Sequence, residues 1–209
     1  MFDDRTDAGE RLAAELEQRG LEADVVLGIP RGALPVARPV ADALEADLDV
    51  VVARKMGAPN NPELAIGAVA SDGSAWYNDD LIDRLGVSEA YLEEIRDEEA
   101  ENARTKADRY RAGSGELPNL EGQRVIVVDD GVATGATAIA CLRQVVETDA
   151  DYVALAVPVG SPRTVSDLEG EADDVIALET PESFRAVGQF YREFGQVTDD
   201  EAIDYLEDE

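Results

Sequence analysis

Histidine is absent from these 209 residues, cysteine occurs once, and the only lysines are Lys55 and Lys106. Without histidine there is no imidazole base, no histidine-ligated metal and no Ser-His triad, so chemistry must rest on carboxylates, Arg, Lys and any bound metal. The single cysteine, Cys141, excludes an intrachain disulfide, and its place beside Ile139 and Leu142 reads as a packing position. No apolar run approaches the ~20 residues that a membrane-spanning helix needs, and the opening MFDDRTDAGE is acidic. A soluble, cytoplasmic protein without a leader is therefore expected. Positive charge is scarce: 18 Lys and Arg against 47 Asp and Glu leave a net −29, a surface that repels nucleic-acid backbones and anionic membranes. Neither is expected as a partner. The hydrophobic content of 44% is enough for one globular domain with an embellishment.

What is present reads as alternating strands and helices. Asp7 can cap a helix that buries Leu12 and Leu16 and ends at Gly20. Asp24 to Leu27 reads as a strand, Gly28-Ile-Pro-Arg-Gly32 as a sharp turn, and Ala33 to Leu44 as a helix in which Pro39 predicts a kink or an early break. Asp49 to Ala53 is a second apolar strand, and the βαβ order implies a parallel sheet. The pattern changes between Met56 and Glu121. Gly57 to Pro62 reads as a loop, Leu64 to Ala70 and Ala75 to Tyr77 can pair around Asp72-Gly73, and a charged helix from Ser88 to Arg111 turns Leu92, Ile95, Ala103 and Ala107 inward. We read residues 56–121 as an inserted cap, with Gly113 to Gly122 as a linker. The main sheet resumes with Val125 to Val128, then Tyr152 to Val157 and Val175 to Leu178.

Arg124 to Thr137, RVIVVDDGVATGAT, carries the chemistry. A short apolar strand hands over to a helix marked by Ile139, Leu142, Val145 and Val146. At such a junction the unpaired N–H groups of Gly135, Ala136 and Thr137, with the positive end of the helix dipole, suit a phosphate dianion. Asp129 and Asp130, leaving the strand just before, suit vicinal sugar hydroxyls and a magnesium ion. The segment closely resembles the phosphoribosyl-pyrophosphate (PRPP) signature of type I phosphoribosyltransferases. Neither Gly-x-x-x-x-Gly-Lys nor Gly-x-Gly-x-x-Gly occurs.

Three further segments are similar to the same family. Gly28 to Ala37 resembles its first loop, where Arg31 and Gly32 would meet pyrophosphate, and Arg54-Lys55 resembles the basic pair after the second strand. Thr180 to Gly195 resembles the C-terminal hood of purine-type members, within a hood segment 180–209, and there Phe184, with Val187 nearby, would meet the base. The resemblance implies an α/β fold: one domain, 1–209, with a Rossmann-like parallel-sheet core and an inserted cap and hood. It also implies an enzyme of purine or pyrimidine salvage that transfers phosphoribosyl from PRPP to a nitrogenous base and releases pyrophosphate, with Mg²⁺ as cofactor. Catalytic roles fall to Asp129, Asp130, Lys55 and Arg31, the metal to Asp129 and Asp130. PRPP would be bound by Arg31, Gly32, Arg54, Lys55, Asp129, Asp130, Gly131, Ala133, Thr134, Gly135, Ala136 and Thr137. A homo-oligomer is compatible with this reading.

The chain also departs from the pattern. Hypoxanthine/guanine members carry an acid at the position of Ala133 and a lysine at that of Val159, so a 6-oxopurine acceptor is not supported. For a general base, the nearest analogue of the loop glutamate of adenine-type members is Glu63. Two other classes stay open: a non-catalytic PRPP- or nucleotide-sensing regulator of the same fold, and an unrelated sugar-phosphate-binding protein with a similar cradle.

The acids are spread along the whole chain rather than gathered in a tail, the pattern of a halophilic surface adapted to a high-salt cytoplasm. Screening should relieve their mutual repulsion. We expect the thermal midpoint to rise steadily from dilute buffer to molar KCl; full stability in dilute buffer would refute the adaptation.

Overall fold

In the computed structural model, residues 1–111 and 116–207 are described. The chain runs through α1 (Arg5–Gln18), β1 (Val25–Gly28), α2 (Leu34–Leu44), β2 (Asp47–Val50), β3 (Ala53–Ala58), β4 (Asn61–Ala70), β5 (Ala75–Tyr77), α3 (Asp79–Leu85) and α4 (Glu89–Tyr110). It continues through β6 (Arg124–Val128), α5 (Ala136–Val146), β7 (Tyr152–Val159), α6 (Pro162–Leu168), β8 (Asp174–Glu179), a 3₁₀ turn (Val187–Phe190) and α7 (Asp199–Asp204). Five strands form one parallel sheet in the order β2-β1-β6-β7-β8, and β3, β4 and β5 form a separate antiparallel sheet.

Beyond Arg124 and Tyr152 at their starts, the central strands β1, β6 and β7 are apolar because both of their faces are covered. Val125 and Val127 of β6, with Val153 and Leu155 of β7, pack against Ile139, Leu142 and Val145 of α5. The alternate residues Ile126, Val128, Ala154 and Ala156 meet Leu12 and Leu16 of α1 and Val36 and Val40 of α2. Each fully buried leucine contributes about 1.5–3 kcal/mol, so sheet and helices stabilise one another. The small sheet shares the α5 side through Ala68 and Ala70. Helix α4 lies over Val50 and Val52 through Ala103, Ala107 and Tyr110, while its first turns, with Leu92 and Ile95, cover Met56 and Ile66. Cys141 is buried, as its position implied.

Several expectations shift. The cap of α1 is Asp4, whose carboxylate accepts from the Asp7 N–H, while the Asp7 carboxylate accepts from Asp3 N–H. Two acids with the right spacing were available, and the upstream one starts the helix. The second core strand ends at Val50, and Ala53 begins β3, so Arg54 and Lys55 belong to the antiparallel sheet. Gly57 to Pro62 is no open loop: β3 pairs with β4 up to Ala58 opposite Asn61. Helix α2 does not break at Pro39 but runs to Leu44. Its lost hydrogen bond is offset by packing on α1, where Gly9 brings the two backbones together. Val146 is half exposed rather than inward. The start of the expected linker, 113–115, lies outside the described residues.

A β-carbon on Gly9 would lie 2.5 Å from the Val36 carbonyl oxygen and 3.1 Å from Pro39 Cγ. Gly→Ala normally favours a helix by ~1 kcal/mol, but backbone cannot yield as a side chain can. Gly9→Ala is therefore expected to destabilise by about 1–3 kcal/mol with an unchanged urea m-value, measured by equilibrium unfolding.

Candidate active site

Strand β6 delivers the chain to the C-terminal edge of the sheet, where loops of an open α/β fold collect ligands. Val132 is then pinned beside the end of β7: its N–H donates to Val159 O at 2.9 Å, and its carbonyl accepts from Ser161 N–H at 3.1 Å. The Ala133 carbonyl is drawn aside by the Thr164 hydroxyl, which donates to it at 2.6 Å, and Thr164 sits one turn into α6, which Ser161 caps. Gly135 stands at the N-cap of α5 with φ 75° and no side-chain cap. The first N–H groups of α5 are thus left without intrahelical partners, and no side chain takes the cap position. Beside them lies a cavity of about 170 Å³, lined by Gly131 to Ala138 together with Lys55, Asp129 and Val187.

The aspartates are placed differently. Asp129 borders the cavity, and its carboxylate accepts from the Asp130 N–H at 2.8 Å. Burial first, and then the neighbouring Asp130 charge, raise its pKa well above the usual carboxylate range. Asp130 turns from the cavity wall to Arg5, whose Nε donates to Oδ2 at 2.8 Å, and the Asp130 carbonyl accepts from the Tyr191 hydroxyl at 2.6 Å. Burial raises the pKa of Asp130 too, and Arg5 opposes the rise. Among the described residues no cluster of three potential metal ligands forms. Two adjacent carboxylates do suit Mg²⁺, which typically takes one or two carboxylates and keeps water and phosphate oxygens for the rest.

Consecutive residues on a strand face opposite ways, which separates Arg54 from Lys55. Lys55 reaches the cavity, whereas Arg54 pairs with Glu99 of α4 at 3.0 Å. Arg31 and Gly32 lie after β1, next to a cis peptide between Pro30 and Arg31. Arg31 stands 3.9 Å from Asp199 of α7. Gly32 crowds Asp130: a β-carbon there would be 2.3 Å from Oδ2. Val187 packs on Gly131 and meets the cavity, while Phe184 stacks on Phe190 at 5.1 Å and is not among its walls. Ala133 and Thr134 are exposed on the loop, and Glu63 is exposed on β4, away from the cavity walls.

The family profile described as phosphoribosyl transferase domain matches residues 3–194. The chain belongs to this family. TT1426 from Thermus thermophilus, a solved structure, is 43% identical, with a TM-score of 0.81 over 99% of this chain and 97% of that one. A Mycobacterium tuberculosis H37Rv protein, provisionally named a phosphoribosyl transferase, is 45% identical over 207 residues, which is 99% of this chain and 46% of that protein. The chain thus spans about half the length of that curated relative. A uracil phosphoribosyltransferase of Streptomyces griseus is 34% identical over 94 residues, 44% of this chain and 42% of that protein. The α/β fold with its five-stranded parallel sheet is that of a phosphoribosyltransferase. No helix among the described residues is long and apolar enough to cross a membrane.

Sequence reasoning missed four parts of this candidate site. Arg5 and Tyr191 hold Asp130 from the two ends of the chain, and nothing in their local spacing marks them. Thr164 acts through a tertiary contact with Ala133. Lys106, by contrast, carried the same signal as Lys55, rarity: from α4 its ammonium donates to Pro30 O at 2.9 Å, and burial lowers its pKa.

Asp199 fastens α7 to this edge by accepting from Tyr110 Oη and Arg109, each at 2.7 Å. The tyrosine hydrogen bond, aided by Arg109 and Arg31, holds its carboxyl below the ordinary value of 3.8. A depressed folded pKa stabilises docking above the unfolded value and loses that effect as pH falls through the folded one. Amide protection factors in residues 199–204, corrected for the intrinsic pH dependence of exchange, should therefore be flat from neutral pH down to about 4 and fall below that; Asp199→Asn should expose the helix at neutral pH.

Proposed function

We propose that the chain catalyses Mg²⁺-dependent transfer of the phosphoribosyl group from PRPP to a small nitrogenous base, releasing pyrophosphate. The observation that carries this reading is the α5 N-terminus, capped only by Gly135, which opens on the same cavity as Lys55 and Asp129. A 5′-phosphate would take the N–H groups of residues 134–137, and the ribose hydroxyls would meet Asp129 and Asp130. Lys55 and Arg31 would meet the departing pyrophosphate. In such a displacement the C–O bond to pyrophosphate breaks as the base nitrogen bonds to the anomeric carbon, so the protein chiefly positions groups and stabilises charge. A bound magnesium would add Lewis-acid stabilisation of the pyrophosphate oxygens.

Lys55 has no ion-pair partner among the described residues, unlike Arg5, Arg31 and Arg54. It can turn to an incoming anion without breaking an existing pair. The segments 56–121 and 180–209 would serve as cap and hood, with Val187 and Phe184 on the base side. The loop carries Ala133 rather than an acid, which favours an acceptor other than a 6-oxopurine.

The test is pyrophosphate release from PRPP and Mg²⁺ across a panel of nucleobases and small amines, paired with calorimetric titration of PRPP. Turnover with one acceptor supports the enzyme. Tight PRPP binding without release from any acceptor would replace it with a sensor. Lys55→Ala and Asp129→Asn are each expected to lower turnover by ~100- to 1,000-fold while unfolding at nearly the wild-type temperature. Wild-type rates in both would refute the assigned roles.

A further inference from the structure

Arg5 lies outside every motif that marks the cradle, yet its contacts converge on it. Its Nε donates to Asp130 Oδ2 at 2.8 Å and one terminal nitrogen donates to Gly195 O at 2.7 Å. The flat guanidinium lies over the Phe194 ring, 3.8 Å from its centroid. The arginine and carboxylate side chains are only 12% and 15% exposed, so solvent screens the pair far less than it does the surface ion pairs. Gly32 closes the group from a third side, with no room for a β-carbon against Asp130 Oδ2. One guanidinium therefore uses its edge on the carboxylate, its fork on a carbonyl and its face on an aromatic ring, a combination lysine cannot supply.

The surroundings keep Arg5 in place. Asp4 caps the helix that Arg5 begins, and Phe2 exchanges main-chain hydrogen bonds with Phe190 and Arg192. Tyr191 holds the Asp130 carbonyl from the same side. The Asp130 carboxylate is thus gripped at Oδ2, and among the described residues no hydrogen bond is made to Oδ1; the residue lies between Asp129 and Gly131 of the cavity lining without being part of it.

We propose that Arg5 is a positioning residue of the sugar site: it fixes Asp130 by one oxygen so that the other meets a hydroxyl of a 5-phosphoribosyl ligand, and it ties the Phe194–Gly195 segment to that carboxylate. This assignment rests on the reading of the cradle as a 5-phosphoribosyl site. Arg5 acts through Asp130 and not on the phosphate, which separates its effect from general damage to the loop.

Calorimetric titration of the full chain with ribose 5-phosphate, and separately with inorganic phosphate, tests it. Arg5→Gln should weaken ribose 5-phosphate by about tenfold or more, the loss of one charge-assisted hydrogen bond, and leave inorganic phosphate within about twofold. Combined with Asp130→Asn, it should add nothing to the loss from Asp130→Asn alone, since two residues acting as one unit are not additive. Arg5→Lys, which keeps the charge and one hydrogen bond, should restore part of the affinity, and it carries the same two-ligand comparison if the Gln variant does not fold. Equal weakening of both ligands, additive losses in the double variant, or an unchanged ribose 5-phosphate affinity would each overturn the role of Arg5 alone. A wild-type chain that binds inorganic phosphate but not ribose 5-phosphate would overturn the sugar-site reading itself, and this assignment with it.

Discussion

The apolar sealing of the central sheet on both faces is the constraint from which the rest follows. Val125 through Val128 are all buried, two facing α5 and two facing α1 and α2. No polar group can be placed inside such layers without a partner. The polar groups that these strands carry are therefore pushed to the strand ends, where β1 releases Arg31 and Gly32 and β6 releases the two aspartates. The α5 N-terminus stands at the same edge because the helix must return across the sheet to bury its own apolar side. Packing thus brings together main-chain donors, carboxylates and cations that lie far apart in the chain.

A protein of net −29 proposed to receive a polyanion faces an electrostatic conflict. Its resolution here is local. Arg5, Arg31, Arg54 and both lysines gather along one edge, and the arginines are held by Asp130, Asp199 and Glu99. Those pairings fix the guanidinium groups along this edge while cancelling part of their charge. They also rank the cations, because a paired guanidinium must give up a carboxylate before it meets a ligand and an unpaired ammonium need not.

The strand-to-helix handover at Val128–Ala136 was legible because three local signals coincide there: an apolar strand, adjacent acids and small residues. The long α4 helix, with Ser88 as its cap, was legible for the same kind of reason, a local cap followed by helical spacing. What could not be read depends on distance. Whether Asp4 or Asp7 starts α1 turns on which carboxylate meets which N–H, and the continuation of α2 past Pro39 turns on Gly9 in another helix. The grip on Asp130 joins residues 5, 130, 191 and 195, and no window of sequence contains them. The split between Arg54 and Lys55 was within reach, since it needs only the recognition that they sit on a strand rather than on a loop.

The lysine distribution has a practical side. Lys106 is hydrogen-bonded to the Pro30 carbonyl and largely enclosed, whereas Lys55 is exposed at the cavity. Apart from the α-amino group, an acylating reagent therefore meets a single open amine, and that amine borders the cradle. Attaching the protein to a support through its amines would fasten it by its own cavity mouth, and the extent of acylation at that one side chain would report directly on whether the cradle is filled.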